Sequence, residues 1–145
     1  MSGKMTEESI REMAEKWYKL LDVHAPITEF LPLLHSDLEM VFPEATLKGQ
    51  GAFSEWLAVV VRIFFDEEHT VKEVKADFTS PDTADVKVVV NWKARRWKAP
   101  AATAEYLDFD AYQTWVVKAS PDTGEPVVAK YIVDKLEPQP GSAEL

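Results

Sequence analysis

Apolar residues in the first third of the chain recur at helical spacing. At about 100° per residue, Ile10, Ala14, Trp17 and Leu21 form one stripe, with Asp22 at its edge beside Tyr18. Thr6 followed by Glu7 and Glu8 supplies a hydroxyl N-cap and acids for a first turn. This predicts a first helix from about Thr6 to Asp22. Pro26 suits the first turn of a short second helix, which Pro32 bends or ends. Leu38 to Phe42 reads as a short strand stopped by Pro43. Beyond Gly49-Gln50-Gly51, the residues Phe53, Trp56, Leu57, Val60 and Phe64 stand at i, i+3, i+4, i+7 and i+11, which predicts a third amphipathic helix.

From His69 onward the period changes to two, through residues 71–78, 84–97, 104–119 and 127–136. Ser80-Pro81-Asp82-Thr83 and Ser120-Pro121-Asp122-Thr123-Gly124 divide these runs as hairpin turns. Helices first and long antiparallel strands after predict an α+β domain with its helices on one face of a sheet. A single domain over 6–136 is expected, between a flexible start at 1–5 and a loose tail at 137–145. Asp66-Glu67-Glu68 reads as a solvated loop.

Composition narrows the function classes. A chain of 145 residues, 46% of them hydrophobic, can bury one sizeable core. Five Trp, seven Phe and four Tyr can line a cavity as readily as fill a core. The net charge of −9 argues against nucleic acid and anionic membranes as partners. Cysteine is absent, so thiolate nucleophiles, disulfides and cysteine zinc sites are excluded. The N-terminal residues lack the apolar run of a signal peptide, and the most apolar stretch, Leu57 to Phe65, is short and carries Arg62. A cytoplasmic protein is expected. Gly49 and Gly51 lack the third glycine and the Gly-Lys-Ser/Thr of a phosphate loop, and read as a turn.

The candidate chemistry centres on Asp22 and His69. A carboxylate at a core rim either bonds the local turn or holds a catalytic group. Imidazole titrates near neutrality, and its two nitrogens can bind Asp22 and a substrate at once. His24 reads first as a helix-end cap. Asp22, His24 and His69 are suitable metal ligand types without metal-site spacing, so no metal is expected. Arg95-Arg96-Trp97-Lys98 is either a solvated strand end or a partner for a ligand carboxylate or phosphate. On the strand after 104, alternation separates Asp108, Asp110, Tyr112 and Thr114 from Leu107, Phe109, Ala111, Gln113, Trp115 and Val117. Patterning alone buries the second set.

Several features together resemble the nuclear transport factor 2-like superfamily. They are Trp17 five residues before Asp22, the run Phe64-Phe65-Asp66-Glu67-Glu68-His69 after the third helix, the strand Phe109-Asp110-Ala111-Tyr112-Gln113-Thr114-Trp115, and the closing strand Tyr131-Ile132-Val133-Asp134. The resemblance covers about Thr6 to Leu136. It implies three helices packed on a strongly curved, mainly antiparallel sheet that forms a cone-shaped pocket. Within the superfamily the chain is similar to scytalone dehydratase and the SnoaL-like polyketide cyclases, in which an Asp at the end of helix one supports a His. Asp22 and His69 look like that pair. Phe42 stands where the dehydratase has a tyrosine, and Val88 or a neighbour where it has a second His.

The resemblance also implies that Asp110 and Tyr112 are catalytic and face the pocket. Trp17, Tyr18, His24, Phe42, Trp56, Val60, Phe64, Val88, Val90, Trp92, Thr114 and Tyr131 would then line it. Phe109, Trp115 and Val117 would in turn face outward, with Val89 and Ile132. A patch of that size predicts a homodimer through the convex face of the sheet. The expected function is acid–base chemistry without a cofactor, of dehydratase, cyclase or isomerase type, on an apolar or aromatic, polyketide-like molecule. The alternatives are a non-catalytic binder of a hydrophobic ligand and a dimeric interaction module of the same fold.

Overall fold

The computed structural model describes residues 5–145. The flexible start expected over 1–5 therefore lies outside the described residues except for Met5, which is buried. Helix α1, Glu7–Asp22, opens on a capping box: Thr6 Oγ1 accepts from Ser9 N at 3.0 Å and Ser9 Oγ accepts from Thr6 N at 2.8 Å. Its buried face comprises Ile10, Met13, Ala14, Trp17, Tyr18 and Leu21. Pro26 is the N-cap of α2, Ile27–Phe30, and Pro32 sits in the tight turn Leu31–Leu33 that ends it.

The first strand is longer than its sequence suggests. β1 runs Leu34–Phe42, and a two-residue turn at Pro43-Glu44 leads to a short partner, β2, Ala45–Lys48. The polar run His35-Ser36-Asp37 masks the start of β1. Helix α3, Gly49–Ile63, begins at a glycine with φ of +89° and buries Phe53 and Leu57.

Four long strands follow as a meander: β3 Phe64–Ser80, β4 Thr83–Arg96, β5 Glu105–Ala119 and β6 Pro126–Pro138. The acidic run 66–68 belongs to β3 rather than to a loop. It lies against the basic end of β4, with Phe65 opposite Arg95 and Glu68 opposite Lys93. Opposite charges across a strand pair favour extended pairing there.

The sheet has the order β2-β1-β6-β5-β4-β3, with β1 parallel to β6 and every other pair antiparallel. This is the expected α+β architecture of three helices on a curved sheet. Trp17 anchors the layer between helices and sheet. Phe30, Phe53, Trp115 and Tyr131 pack on its indole at centroid distances from 5.4 to 5.9 Å. Among the described residues, no helix is long and apolar enough to cross a membrane.

Patterning, not the resemblance, decides which face of β5 is inside. Trp115 and Val117 are fully buried in the core shared with the helices, and Phe109, 4% exposed, lies on the same face of β5 in a smaller cluster with Leu107 and Ala94. Their cross-strand partners on β4 are Val86, Ala84 and Trp92, which share that face. The physical reason is area: the indole, the phenyl ring and valine gain far more from burial than a carboxylate, which must be paired to enter the interior. The outward aromatic patch expected to drive dimerisation is therefore absent.

The last residues, expected to be a loose tail, bond the sheet. Gln139 N donates to Asp108 O and Ala143 N to Tyr106 O, each at 2.8 Å. Asp108 N donates to Ser142 Oγ at 2.9 Å. Arg96, only 7% exposed, donates to Glu144 O at 2.7 Å and to Leu145 O at 3.2 Å. This basic residue thus joins the tail to the strand end and is not solvated.

Candidate active site

Between the helices and the concave face of the sheet lies a cavity of about 970 Å³. It is within the range of small-molecule sites. Tyr18 and Leu21 from α1, Phe42 from β1, Trp56 and Val60 from α3, and Val90, Trp92 and Tyr131 from the sheet supply most of its apolar wall. Phe64, at the start of β3, also lines it.

The end of α1 brings Asp22 to the start of β3. His69 Nδ1 lies 2.6 Å from Asp22 Oδ1, and the backbone N–H of His69 donates to Asp22 Oδ2 at 3.0 Å. A carboxylate only accepts, so Nδ1 carries the hydrogen, and in the neutral ring Nε2 keeps its lone pair. Nε2 has no hydrogen-bond partner among the described residues and is not sealed from solvent. The imidazole is stacked on Tyr18 at 4.7 Å and lies near-parallel to Trp92 at 6.3 Å. Its side chain is 8% exposed and lines the cavity.

A buried hydrogen-bond network forms the polar part of the wall. Gln113 Oε1 accepts from Tyr18 Oη at 2.6 Å and from Trp115 Nε1 at 2.8 Å, and Gln113 Nε2 donates to Tyr131 Oη at 3.1 Å. Tyr18 spends its one hydrogen on Gln113, so the Tyr131 hydroxyl keeps its own hydrogen for Tyr18 Oη, 3.3 Å away, or for a ligand. Burial, reinforced by Tyr131 at close range, pushes the Tyr18 hydroxyl well above its ordinary pKa, and burial raises that of Tyr131. Both stay neutral donors around neutrality.

Other expected site residues lie elsewhere. Trp17 and Val88 are fully buried in the core and do not reach the cavity wall. Asp110, Tyr112 and Thr114 occupy the opposite face of the sheet, because the aromatic set claims the inner one. There Asp110 accepts from Lys72 Nζ at 3.0 Å and from Asn91 Nδ2 at 3.0 Å, and Thr114 Oγ1 donates to Asp134 at 2.6 Å. Tyr112 lies beneath Lys135, whose ammonium is 5.7 Å from the ring centroid.

His24 does not line the cavity but pairs with a residue that does. Its Nε2 is 2.8 Å from Glu67 Oε2, and Trp92 Nε1 donates to Glu67 Oε1 at 3.1 Å. Asp22, His24 and His69 therefore do not share a centre. Among the described residues, no three His, Asp or Glu side chains gather as a metal site.

Sequence reasoning missed Glu67 and Gln113. Gln113 was findable as the one amide in an apolar alternation. Glu67 was hidden by a shift in strand register between Phe65 and Glu68.

No protein-family profile matches the chain, and no curated protein matches it in sequence. Solved structures do. A candidate scytalone dehydratase from Novosphingobium aromaticivorans is 21% identical with a TM-score of 0.71, over 91% of this chain and 83% of that one. A hexachlorocyclohexane dehydrochlorinase of the LinA type from Novosphingobium barchaimii is 15% identical with a TM-score of 0.75, over 95% and 92%. A ketosteroid isomerase-like protein from Erwinia carotovora is 18% identical with a TM-score of 0.69, over 90% and 94%. At these identities the likeness is one of fold. The chain carries a cystatin-like fold.

Proposed function

We propose that the protein is an enzyme that removes a proton from an apolar, ring-containing molecule without a resident cofactor, with His69 as the base. The carrying observation is the Asp22–His69 contact of 2.6 Å at the wall of the cavity. Asp22 fixes the tautomer and stabilises the imidazolium that forms when Nε2 takes the proton. Tyr131, neutral and buried, supplies a hydrogen-bond donor for negative charge developing on a substrate oxygen, and Tyr18 and Gln113 hold it in place. The largely apolar wall selects an aromatic or polyketide-like molecule. The structural neighbours carry names that denote loss of water, loss of hydrogen chloride and isomerisation, and each of those reactions includes a proton transfer.

The homodimer expected from the sequence keeps the outward sheet face as its candidate surface. That face now offers the half-buried Val89, Tyr112, Val116 and Ile132 among charged residues. A cytoplasmic location remains part of the proposal.

The test is base-promoted ring opening of 5-nitrobenzisoxazole, whose phenoxide leaving group asks nothing of an acid. The wild-type chain accelerates it, and His69→Gln lowers the rate about 10²-fold or more. Tight binding of an apolar ligand with no acceleration would leave the protein a binder.

A further inference from the structure

Two non-glycine residues have left-handed backbone among the described residues: His24, with φ of 51°, and Asp66, with φ of 52°. His24 follows the C-cap of α1, where glycine is usual, and Asp66 sits where β3 loses register with β4, between Phe65 and Glu68. Strained backbone of this kind persists where its surroundings enforce it, and it gathers at functional sites. Both positions meet at one interaction, the contact of His24 with Glu67.

The register shift has a definite effect. In an unbroken strand, Phe64 and Glu67 would point to opposite faces. With the extra residue, Phe64, Glu67 and His69 all line the cavity. Two imidazole–carboxylate pairs then bridge the same two segments crosswise, Asp22 to His69 and His24 to Glu67. Trp92 joins them, stacking on His69 and donating to Glu67. The Glu67 side chain is 7% exposed and that of His24 31%. A carboxyl group on the cavity wall is thus connected to solvent through an imidazole.

We propose that Glu67 is a second catalytic residue, the acid that protonates a departing hydroxyl oxygen, with His24 returning protons to it from solvent. This rests on the reading of His69 as the base, and it defines the substrate class as a cyclic β-hydroxy carbonyl compound. His69 Nε2 takes the proton from the carbon beside the carbonyl. The electron pair of that C–H bond forms the new C=C bond while the neighbouring C–O bond breaks and its pair leaves on oxygen. Glu67 gives that oxygen a proton, and water departs. His24 passes a proton to Glu67 and takes another from solvent, to which His69 releases its own.

The experiment compares two probes on the full chain: 5-nitrobenzisoxazole, which needs only the base, and 4-hydroxy-2-tetralone, whose dehydration gives fluorescent 2-naphthol. Glu67→Gln should lower tetralone dehydration about 10²-fold relative to its own benzisoxazole rate. His24→Asn should move that ratio in the same direction. Equal losses on both probes in Glu67→Gln would make Glu67 a structural residue and overturn the proposal. A wild-type chain active on benzisoxazole but inert on the tetralone would overturn it too, leaving the base intact. Inertness on both probes would overturn the His69 reading, and this inference with it.

Discussion

His69 engages both oxygens of Asp22, one through its ring and one through its backbone N–H. The two contacts set the ring's tautomer and orientation together, and each has its own consequence when Asp22 is changed. In Asp22→Asn, one carboxylate oxygen becomes an amide nitrogen that cannot accept. Turned toward His69 Nδ1, the amide forces the ring hydrogen onto Nε2. Benzisoxazole opening should fall about 10²–10⁴-fold with KM little changed. Turned toward the backbone, it leaves a covered N–H without an acceptor, at about 1–3 kcal/mol of stability. Steady-state kinetics and urea unfolding of the one variant separate the two. Undiminished turnover would remove Asp22 from the mechanism.

Trp17 is fully buried, yet its indole N–H has no hydrogen-bond partner among the described residues. Its packing is valuable and its polar atom is a burden. Trp17→Phe removes the unsatisfied donor and keeps an aromatic ring among Phe30, Phe53, Trp115 and Tyr131, so it should cost less than about 1.5 kcal/mol. Trp17→Ala should cost about 3–5 kcal/mol. Urea midpoints of the two variants check the contrast.

The buried tyrosines make the protein sensitive to alkali. Tyr18 and Tyr131 have folded-state pKa values raised above the ordinary 10.0, so the unfolded chain loses their protons first. Their contribution to stability is fully present below about pH 10 and is lost as pH rises toward the folded values. Unfolding should set in above pH 10 with a steep slope. Replacing both by Phe should flatten that slope, as read by denaturant midpoints across the range.

Asp110 acts at the other end of the scale. Burial pushes its carboxyl up, but the Asn91 amide and the Lys72 ammonium outweigh burial and hold it below its ordinary 3.8. A depressed pKa stabilises the fold above the unfolded value and is lost as pH falls through the folded one. Stability should therefore decline below about pH 4, and Asp110→Asn should remove part of that decline. Because Asp110 faces away from the cavity, the same substitution should leave benzisoxazole opening intact.

How far the sequence reaches is clearest along β3 and β5. The helical stripe of α1 put Asp22 at a helix end and the change of period put His69 near a strand start, while their pairing was what the resemblance to the dehydratase implied. The inner face of β5 was written in its own alternation, where Trp115 and Phe109 outvote the carboxylates; the analogy to a dehydratase obscured it. Glu67 was not legible. Its orientation depends on the extra residue at Asp66, and a register shift leaves no mark in a hydrophobic pattern. Nor was the anchored tail, because the groups of the sheet that hold it are backbone atoms of β5 and a single arginine.

Trp115 provides the sharpest test of that face. The outward reading makes Trp115→Lys a folded monomer with its cavity intact. In the structure, Trp115 has no exposed surface, packs against Trp17 at 5.9 Å and Tyr131 at 5.4 Å, and donates to Gln113 at 2.8 Å. A lysine there loses the aromatic burial, orphans one acceptor role of Gln113 and puts an ammonium group into the core. Each effect destabilises, and together they should exceed about 4 kcal/mol. The variant should be unfolded or aggregated at ambient temperature, by circular dichroism and light scattering. Trp115→Phe, which keeps the ring and loses only the hydrogen bond, should fold with a loss of about 1–2 kcal/mol. A well-folded Trp115→Lys chain would return Trp115 to the surface and Asp110 and Tyr112 to the cavity.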